Sequence, residues 1–129
     1  MNGNDRDESH LRDAALTRKL IGASFAVHNE LGRGFLEGLY ANALAVELEE
    51  RAVPFARQRM MQVTYHQRRI GEFKCDFLVE GRLLIEIKAG RPLDDSHVAQ
   101  LLNYMRAMSI GLGLLIHFGE RLTVRRFVL

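Results

Sequence analysis

Two acids and a lysine interrupt the apolar stretch CDFLVEGRLLIEIKAG at residues 75–90, and their side chains are suited to phosphate chemistry. They are Asp76, Glu86 and Lys88. Carboxylate oxygens are the ligands that Mg²⁺ prefers, and an ammonium group stabilises charge that develops on a phosphate. Because nearby acids raise the pKa of a lysine, Lys88 is expected to stay charged and to orient an attacking water rather than act as a base.

Strand geometry predicts that these three side chains converge. The odd-numbered residues of the two predicted strands are all apolar and are expected to share one buried face: Phe73, Cys75, Phe77, Val79, Leu83, Ile85 and Ile87. A three-residue loop, Glu80-Gly81-Arg82, keeps odd residues paired with odd, and its glycine is free to take a positive φ. Asp76 then lies opposite Glu86, with Lys88 one step along. The alternative is a solvated hairpin face that carries weak surface ion pairs.

The remaining sequence predicts the elements that position this hairpin. Amphipathic spacing predicts helices at about 11–30 and 35–51, and a third that is capped by Asp94, Asp95 or Ser96 and runs to about Met108. Strands are predicted at 58–66, 70–79, 83–89, 111–119 and 122–129. The order is α-α-β-β-β-α-β-β. A strand, a helix and a strand in succession indicate a parallel pair, so we predict an α/β fold with a mixed central sheet and flanking helices.

Composition sets the broad class of the protein. The chain has 129 residues, of which 47% are hydrophobic, and this suits one domain with one core. We predict a flexible tail at residues 1–10 and a single domain at residues 11–129. One cysteine excludes an intrachain disulfide framework, and no signal segment or membrane span is recognised, so we expect a cytoplasmic protein without a membrane partner. A net charge of +2 permits a nucleic-acid partner without arguing for one.

Several other polar residues have ordinary structural explanations. Gln100 and Tyr104 share a helix face. Taken alone, however, Gln100 suits an exposed helix position, and Tyr104 suits a core aromatic. Glu37 falls in the first turn of a helix, where an acid interacts favourably with the helix dipole, and Tyr40 suits the core. For the remaining candidates we favour a structural role, namely for His28, Cys75, His97 and His117. The arginines at 57, 59, 68, 69, 125 and 126 would form a phosphate track only if the fold gathers them.

Four motifs in this order resemble a known family. Gly34, Glu37 and Tyr40, in LGRGFLEGLYANAL, match the signature of the GxxExxY proteins. Asp76 with Glu86-Ile87-Lys88 resembles the core of the PD-(D/E)xK nuclease superfamily, to which that family belongs. Gln100 and Tyr104 are similar to a QxxxY helix motif of several nuclease branches, and GLLIHFG resembles the closing strand. The likeness spans roughly residues 16 to 126, and Cys75 stands where the superfamily name has proline.

The resemblance implies a restriction-endonuclease-like core with a magnesium-dependent phosphodiesterase site, in which Mn²⁺ can substitute. By motif position, Asp76, Glu86 and the Ile87 backbone carbonyl are expected as metal ligands. Glu37 is expected as a helix-borne acid that reaches the same metal, and Lys88 as the catalytic lysine. Gln100, Tyr104 and Tyr40 are expected to support the site or to contact nucleic acid.

We therefore predict a metal-dependent nuclease that acts on DNA. One alternative is a nucleic-acid-binding module on the same fold with little or no catalysis. Another is a structural or partner-binding protein whose hairpin acids are merely surface residues. The residues leave open the strandedness and sequence preference of the substrate, endonuclease or exonuclease action, the oligomeric state and the pathway.

Overall fold

The computed structural model describes the backbone of residues 3–129 and the side chains from His10 onward. Three helices are described: α1 (Gly3–Leu31), α2 (Glu37–Glu50) and α3 (Asp95–Met108). Five strands are described: β1 (Phe55–Tyr65), β2 (Arg68–Val79), β3 (Leu83–Ala89), β4 (Leu112–Phe118) and β5 (Leu122–Val128). The predicted order α-α-β-β-β-α-β-β is confirmed.

The strands form one sheet in the order β1-β2-β3-β4-β5. Strands β3 and β4 are parallel and are connected through α3, whereas the other three neighbouring pairs are antiparallel. The predicted mixed sheet is therefore confirmed. Among the helices of residues 3–129, none has the length and apolar content needed to cross a membrane.

Helices cover both faces of the sheet and create two cores. On one face α1 and α2 pack against the sheet, with Leu20, Leu44 and Ile85 fully buried. On the other face α3 contributes Leu101 and Met105 to a smaller cluster. Because helices exclude water from both faces, both odd- and even-numbered positions of the central strands carry apolar residues, as in other sheets that are covered on both sides.

Helix α1 begins earlier than its apolar spacing predicts. The buried residues Leu16, Leu20, Ala23 and Val27 anchor it as expected. The helix nevertheless extends back to Gly3, through residues that we assigned to the tail. Residues 4–10 contain no proline or glycine, so nothing in that stretch breaks a helix that is anchored further on. Residues 1–2 of the predicted tail lie outside the described residues, and the division into tail and domain stays a prediction.

The loop between β2 and β3 has the predicted length. Val79 pairs with Leu83, which leaves Glu80, Gly81 and Arg82 in the loop. Gly81 has a φ of 69°, a conformation that glycine adopts without steric cost. This turn fixes the register of the two strands that carry Asp76, Glu86 and Lys88.

Candidate active site

Strands β2 and β3 diverge where the two acids lie. Their pairing runs from Val79 only to Phe77, which faces Ile85, and ends there. Beyond that point the carboxylates bond to the backbone of the opposite strand. The Asp76 amide donates to Glu86 Oε1 at 3.2 Å, and the Ile87 amide donates to Asp76 Oδ2 at 2.7 Å. These two bonds hold Asp76 and Glu86 together, as the hairpin geometry predicts.

Asp76 also lacks a backbone partner on its other side. The pairing of β1 with β2 includes Phe77 and Cys75 but omits Asp76 and the residue facing it, Gln58. Gln58 has a φ of 49°, in the left-handed region that non-glycine residues rarely occupy. Asp76 therefore lies in a gap between strands, and such irregular backbone is common at functional sites.

One predicted feature of β2 is wrong: its odd residues do not all share one face. Phe77 and Val79 pack in the core beneath α1 and α2, as expected. Cys75, however, belongs to the core beneath α3, and Phe73 stacks on Tyr104 of α3 at 3.8 Å between ring centroids. The strand changes face at Asp76 because regular pairing is interrupted there, and strict alternation holds only along an unbroken strand.

Glu86 is a buried acid. Its side chain belongs to a residue that is only 5% exposed, so the hairpin acids are not a merely solvated surface. Burial raises the pKa of Glu86 to about 8, the charge of Asp76 acts in the same direction, and Lys88 opposes it. Two adjacent carboxylates in a partly dry site favour a shared proton or a bound cation, because their charges repel.

Lys88 and Glu37 line a cavity beside the acid pair. Lys88 is partly buried on β3, and Glu37 is the first residue of α2. Both line a cavity of about 660 Å³ that is also lined by Arg91 and His97. Partial removal of water raises the pKa of Glu37, whereas the charge of Lys88 lowers it. The lysine therefore lies close enough to the helix terminus for their charges to interact.

Glu37 does not complete a metal-ligand cluster in this structure. It also lines a second cavity of about 310 Å³ with Asp76, Arg57 and Gln58. Within the part of the chain whose side chains are described, no group of three or more His, Cys, Asp or Glu residues is arranged to hold a metal ion. Asp76 and Glu86 form a pair, and the role of Glu37 as a third ligand stays a prediction.

Tyr40 fixes the loop that leads to Glu37. It is fully buried, and its hydroxyl donates to the Gly32 carbonyl at 2.5 Å and accepts from the Phe35 amide at 3.3 Å. Its ring stacks on Phe118 at 4.5 Å. Tyr40 exposes no surface to a nucleic acid, so of the two predicted roles only support of the site agrees with its position.

Tyr104 places α3 against the same site. Its ring stacks on Phe73, while burial and the charges of Glu86 and Asp76 raise the pKa of its hydroxyl. A hydrogen bond with Gln100 lowers that pKa. Gln100 itself is exposed on the helix. The two residues therefore lie on one face of α3, next to the acids, as their spacing predicts.

The histidines make the structural contacts expected of them. His97 closes the first turn of α3, because its Nδ1 accepts from the Asp94 amide at 3.1 Å while the Asp94 carboxylate caps the helix. His28 Nε2 lies 2.9 Å from the Gly119 carbonyl, and His117 Nε2 lies 3.2 Å from the Gly90 carbonyl. His28 thus connects α1 to the loop after β4, and His117 connects β4 to the loop after β3.

Arg57 lies at the candidate site, although the sequence indicated it only as one of six arginines that could form a phosphate track. Its guanidinium lies 5.2 Å from the centre of the Phe77 ring, and it lines the cavity shared by Glu37 and Asp76. Its Nε is buried and has no hydrogen-bond partner among the described residues. The pairing of Arg57 with Phe77 across β1 and β2 places it there, and that register was not readable from the spacing of arginines alone.

Comparisons with known proteins agree with this fold. Residues 14–127 match the family model of the PD-(D/E)XK nuclease superfamily. No curated protein matches the chain. Among solved structures, the crystal structure of SSO0001 is similar at 15% identity with a TM-score of 0.56, and the match covers 70% of this chain and 48% of that one. The chain thus spans about half the length of that structure, and the likeness concerns the fold. Since the family match includes nearly all of the described domain, the chain belongs to the PD-(D/E)XK nuclease superfamily.

Proposed function

We propose that this protein is a divalent-metal-dependent nuclease that hydrolyses phosphodiester bonds in DNA. The observation that carries the proposal is the pair Asp76 and Glu86. Hydrogen bonds hold the two acids together where β2 and β3 diverge, and Lys88 follows Glu86 by two residues on β3. Superfamily membership supports the class of reaction. The metal, the DNA substrate and the role of each side chain belong to the proposal.

The acid pair fits a hard divalent cation such as Mg²⁺, with Mn²⁺ as a substitute. Asp76 and Glu86 offer carboxylate oxygens side by side. Burial and the charge of Asp76 both raise the pKa of Glu86, and a cation would relieve the repulsion between the two acids. In the proposal Asp76, Glu86 and the Ile87 carbonyl hold the cation, and Glu37 reaches it from α2. A cation bound there would lower the pKa of a bound water and offset negative charge on the phosphate.

Lys88 supplies a positive charge from the protein itself, in addition to that of the proposed cation. It follows Glu86 by two residues on β3 and lines the open cavity with Glu37. In the proposal its ammonium group positions the attacking water by hydrogen bonding and stabilises the negative charge that develops on the phosphate oxygens. Glu37 lies close enough to Lys88 for their opposite charges to attract each other.

Two features favour placing the chain in the GxxExxY branch of the superfamily. Gly34 has a φ of 104°, a conformation that glycine adopts far more readily than other residues. The Tyr40 hydroxyl bonds to the loop that contains Gly34. Glu37, which lies between Gly34 and Tyr40 in the sequence, is the first residue of α2 and lines the cavity. Each motif residue thus has a physical reason for its identity. In this proposal Tyr40, Tyr104 and Gln100 support the site.

The test compares cleavage by four variants. Glu86→Ala removes a proposed ligand, and Lys88→Ala leaves both acids in place. Glu49→Ala and Lys19→Ala are matched controls at exposed positions of α2 and α1. With Mg²⁺ we expect wild type and both controls to cut DNA, and both site variants to lose about 10²-fold or more in turnover. Excess Mn²⁺ should partly restore Glu86→Ala but not Lys88→Ala.

Calorimetric titration with Mg²⁺ gives a readout that does not depend on activity. Glu86→Ala should bind the cation weakly, whereas Lys88→Ala should bind it at least as well as wild type, because a positive charge has been removed. The substrates are single-stranded, double-stranded and branched DNA, with RNA for comparison. Wild type that binds DNA but cuts none of these substrates would favour the nucleic-acid-binding module. Wild type that binds neither metal nor nucleic acid would rule out both functions.

A further inference from the structure

The outer part of the β1–β2 hairpin, residues 59–74, extends beyond the rest of the sheet. β2 pairs with β3 only through Val79, Leu78 and Phe77, and β1 is an edge strand. The two strands of residues 59–74, here called the β1–β2 arm, therefore pair only with each other. None of these residues is buried. A two-stranded ribbon is at best marginally stable by itself, so core packing does not account for the length of the arm.

The arm concentrates the positive charge of the protein. Its basic residues are Arg59, Arg68, Arg69 and Lys74, and its acid is Glu72. The arm thus carries +3, whereas the whole chain carries +2. Glu72 pairs with Arg69, and among the residues with described side chains Arg59, Arg68 and Lys74 form no ion pair. Such a surface is complementary to a polyanion.

The tip of the arm presents a stacked pair of rings. The rings of Tyr65 and His66 lie 4.2 Å apart with an interplanar angle of 12°. Tyr65 is 64% exposed, and Arg68 pairs with it across the two strands. His66 and Gln67 form the turn with φ values of 47° and 62°, which fixes the ring pair at the end of a tight hairpin. Exposed aromatic faces beside arginines are typical of surfaces on which bases stack.

The arm reaches a defined distance from the acid pair. Asp76 follows Arg68 by eight positions on β2, and at about 3.4 Å per residue this distance is roughly 27 Å. A duplex rises about 3.4 Å per nucleotide, so the tip lies roughly eight nucleotides from the acids. Arg57, at the base of the arm, already lines the cavity that contains Asp76. Positive charge is therefore present both next to the site and at the tip of the arm.

We propose that the β1–β2 arm holds the nucleic acid several nucleotides from the bond that is cut. Arg59, Arg68 and Lys74 contact phosphates, and the exposed Tyr65 ring stacks on a base. The choice of a nucleic acid rests on the proposed function. The charge of the arm favours a polyanion over an apolar protein surface.

The test measures binding in EDTA, where no cutting occurs. Tyr65→Ala/Arg68→Ala removes a ring and a charge from the tip, and Arg18→Ala/Phe25→Ala removes the same groups from exposed positions of α1. Fluorescence anisotropy is recorded with labelled duplex and single-stranded DNA of roughly 30 nucleotides. We expect the tip variant to bind both substrates at least about tenfold more weakly, and the salt slope to fall by about one. The α1 variant should bind as wild type does.

Tyr65→Phe/Arg68→Lys keeps the ring and the charge and should bind nearly as wild type does. Unchanged affinity of the tip variant, or an equal loss in the α1 variant, overturns the arm proposal. If wild type cuts DNA and the tip variant binds normally, the arm proposal fails while the nuclease stands. If the tip variant loses binding and wild type cuts nothing, the arm proposal stands while the nuclease fails. Wild type that binds no nucleic acid overturns both.

Discussion

Strand β2 takes part in two hairpins that differ in burial and in charge. In the inner hairpin, residues 76–89, Phe77 and Ile85 are fully buried beneath two helices. In the β1–β2 arm no residue is buried, and the basic residues outnumber the acid. Asp76 lies at the boundary, where pairing with β1 is interrupted and pairing with β3 has ended. The acid pair is thus held by a packed core on one side and opens towards solvent and the arm on the other.

This difference separates two requirements of a nuclease site. Ligand side chains must be held rigidly, and the buried inner hairpin provides rigid attachment for Asp76 and Glu86. A long flexible substrate needs contact far from the cut bond, which an exposed ribbon provides at little cost to the core. Segments with few buried contacts open locally at low free energy, so the arm is expected to move while the acids stay in place.

The largest expected effect concerns the stability of the two hairpins. Phe77→Ala should lower the free energy of unfolding by about 3–5 kcal/mol, because it removes a fully buried ring and leaves a cavity. Met61→Ala on the arm should cost less than about 1 kcal/mol, since its side chain is only partly buried. Urea unfolding measures both values. Equal losses would mean that the arm is part of the cooperative core.

Much of the inner hairpin was predictable from its residue pattern. The three-residue loop and the approach of Asp76 to Glu86 follow from alternation and loop parity. The parallel partner of β3 follows from the succession of a strand, a helix and a strand. The cap of α3 was predictable as well. Asp94 is one of three adjacent residues that commonly cap helices, and it is the N-cap in the structure. These features depend on local periodicity, which a sequence displays directly.

The change of face along β2 was not predictable in the same way. Helices cover both faces of the sheet, so Leu78 and Leu84 are as apolar as Phe77 and Ile85. An apolar residue therefore does not reveal which core it enters. The interruption depends on the left-handed backbone of Gln58, and glutamine carries no sequence signal for that conformation. The wrong placement of Phe73 and Cys75 follows from this.

The second prediction concerns how the free energy of unfolding depends on pH through Glu86, the buried acid of the inner hairpin. The pKa of Glu86 rises from an ordinary value of 4.5 to about 8 in the folded chain. The folded state therefore binds this proton more tightly than the unfolded state. The stability it contributes is fully present below pH 4.5 and is lost as the pH rises through about 8. In EDTA, we expect wild type to lose on the order of 2 kcal/mol between these values.

Glu86→Gln should remove most of that pH dependence, because the amide does not titrate. Glu72→Gln, on the exposed arm, should keep the wild-type profile. Urea midpoints measured at intervals from pH 5 to pH 9 make the comparison, and the difference between wild type and each variant cancels the titration of other groups. If the Glu86→Gln variant is as sensitive to pH as wild type, the effect belongs to another residue.

The smallest expected effect decides whether Glu37 belongs to the site. Glu37→Gln keeps the shape of the side chain, so α2 should lose only the interaction of a charge with the helix dipole, about 0.3–1 kcal/mol. If Glu37 reaches the cation, Mg²⁺ affinity should also fall several-fold, because a carboxylate ligand becomes a weaker amide ligand. Glu72→Gln on the arm should leave Mg²⁺ affinity nearly unchanged, which separates a ligand from a general loss of negative charge.

Calorimetric Mg²⁺ titration and thermal unfolding of the same samples separate the two roles of Glu37. Lower stability with unchanged affinity would make Glu37 a dipole-stabilising acid and leave the metal site to Asp76 and Glu86. Lower affinity with nearly unchanged stability would mean that α2 moves its first residue to the acid pair when the cation binds, because in this structure the three acids form no ligand cluster within residues 10–129. Tyr40 then acquires a measurable role, since its hydroxyl fixes the Gly32 carbonyl of the loop that carries Glu37. Tyr40→Phe should weaken Mg²⁺ binding only in a chain that retains Glu37, and the double variant should bind no worse than Glu37→Gln alone.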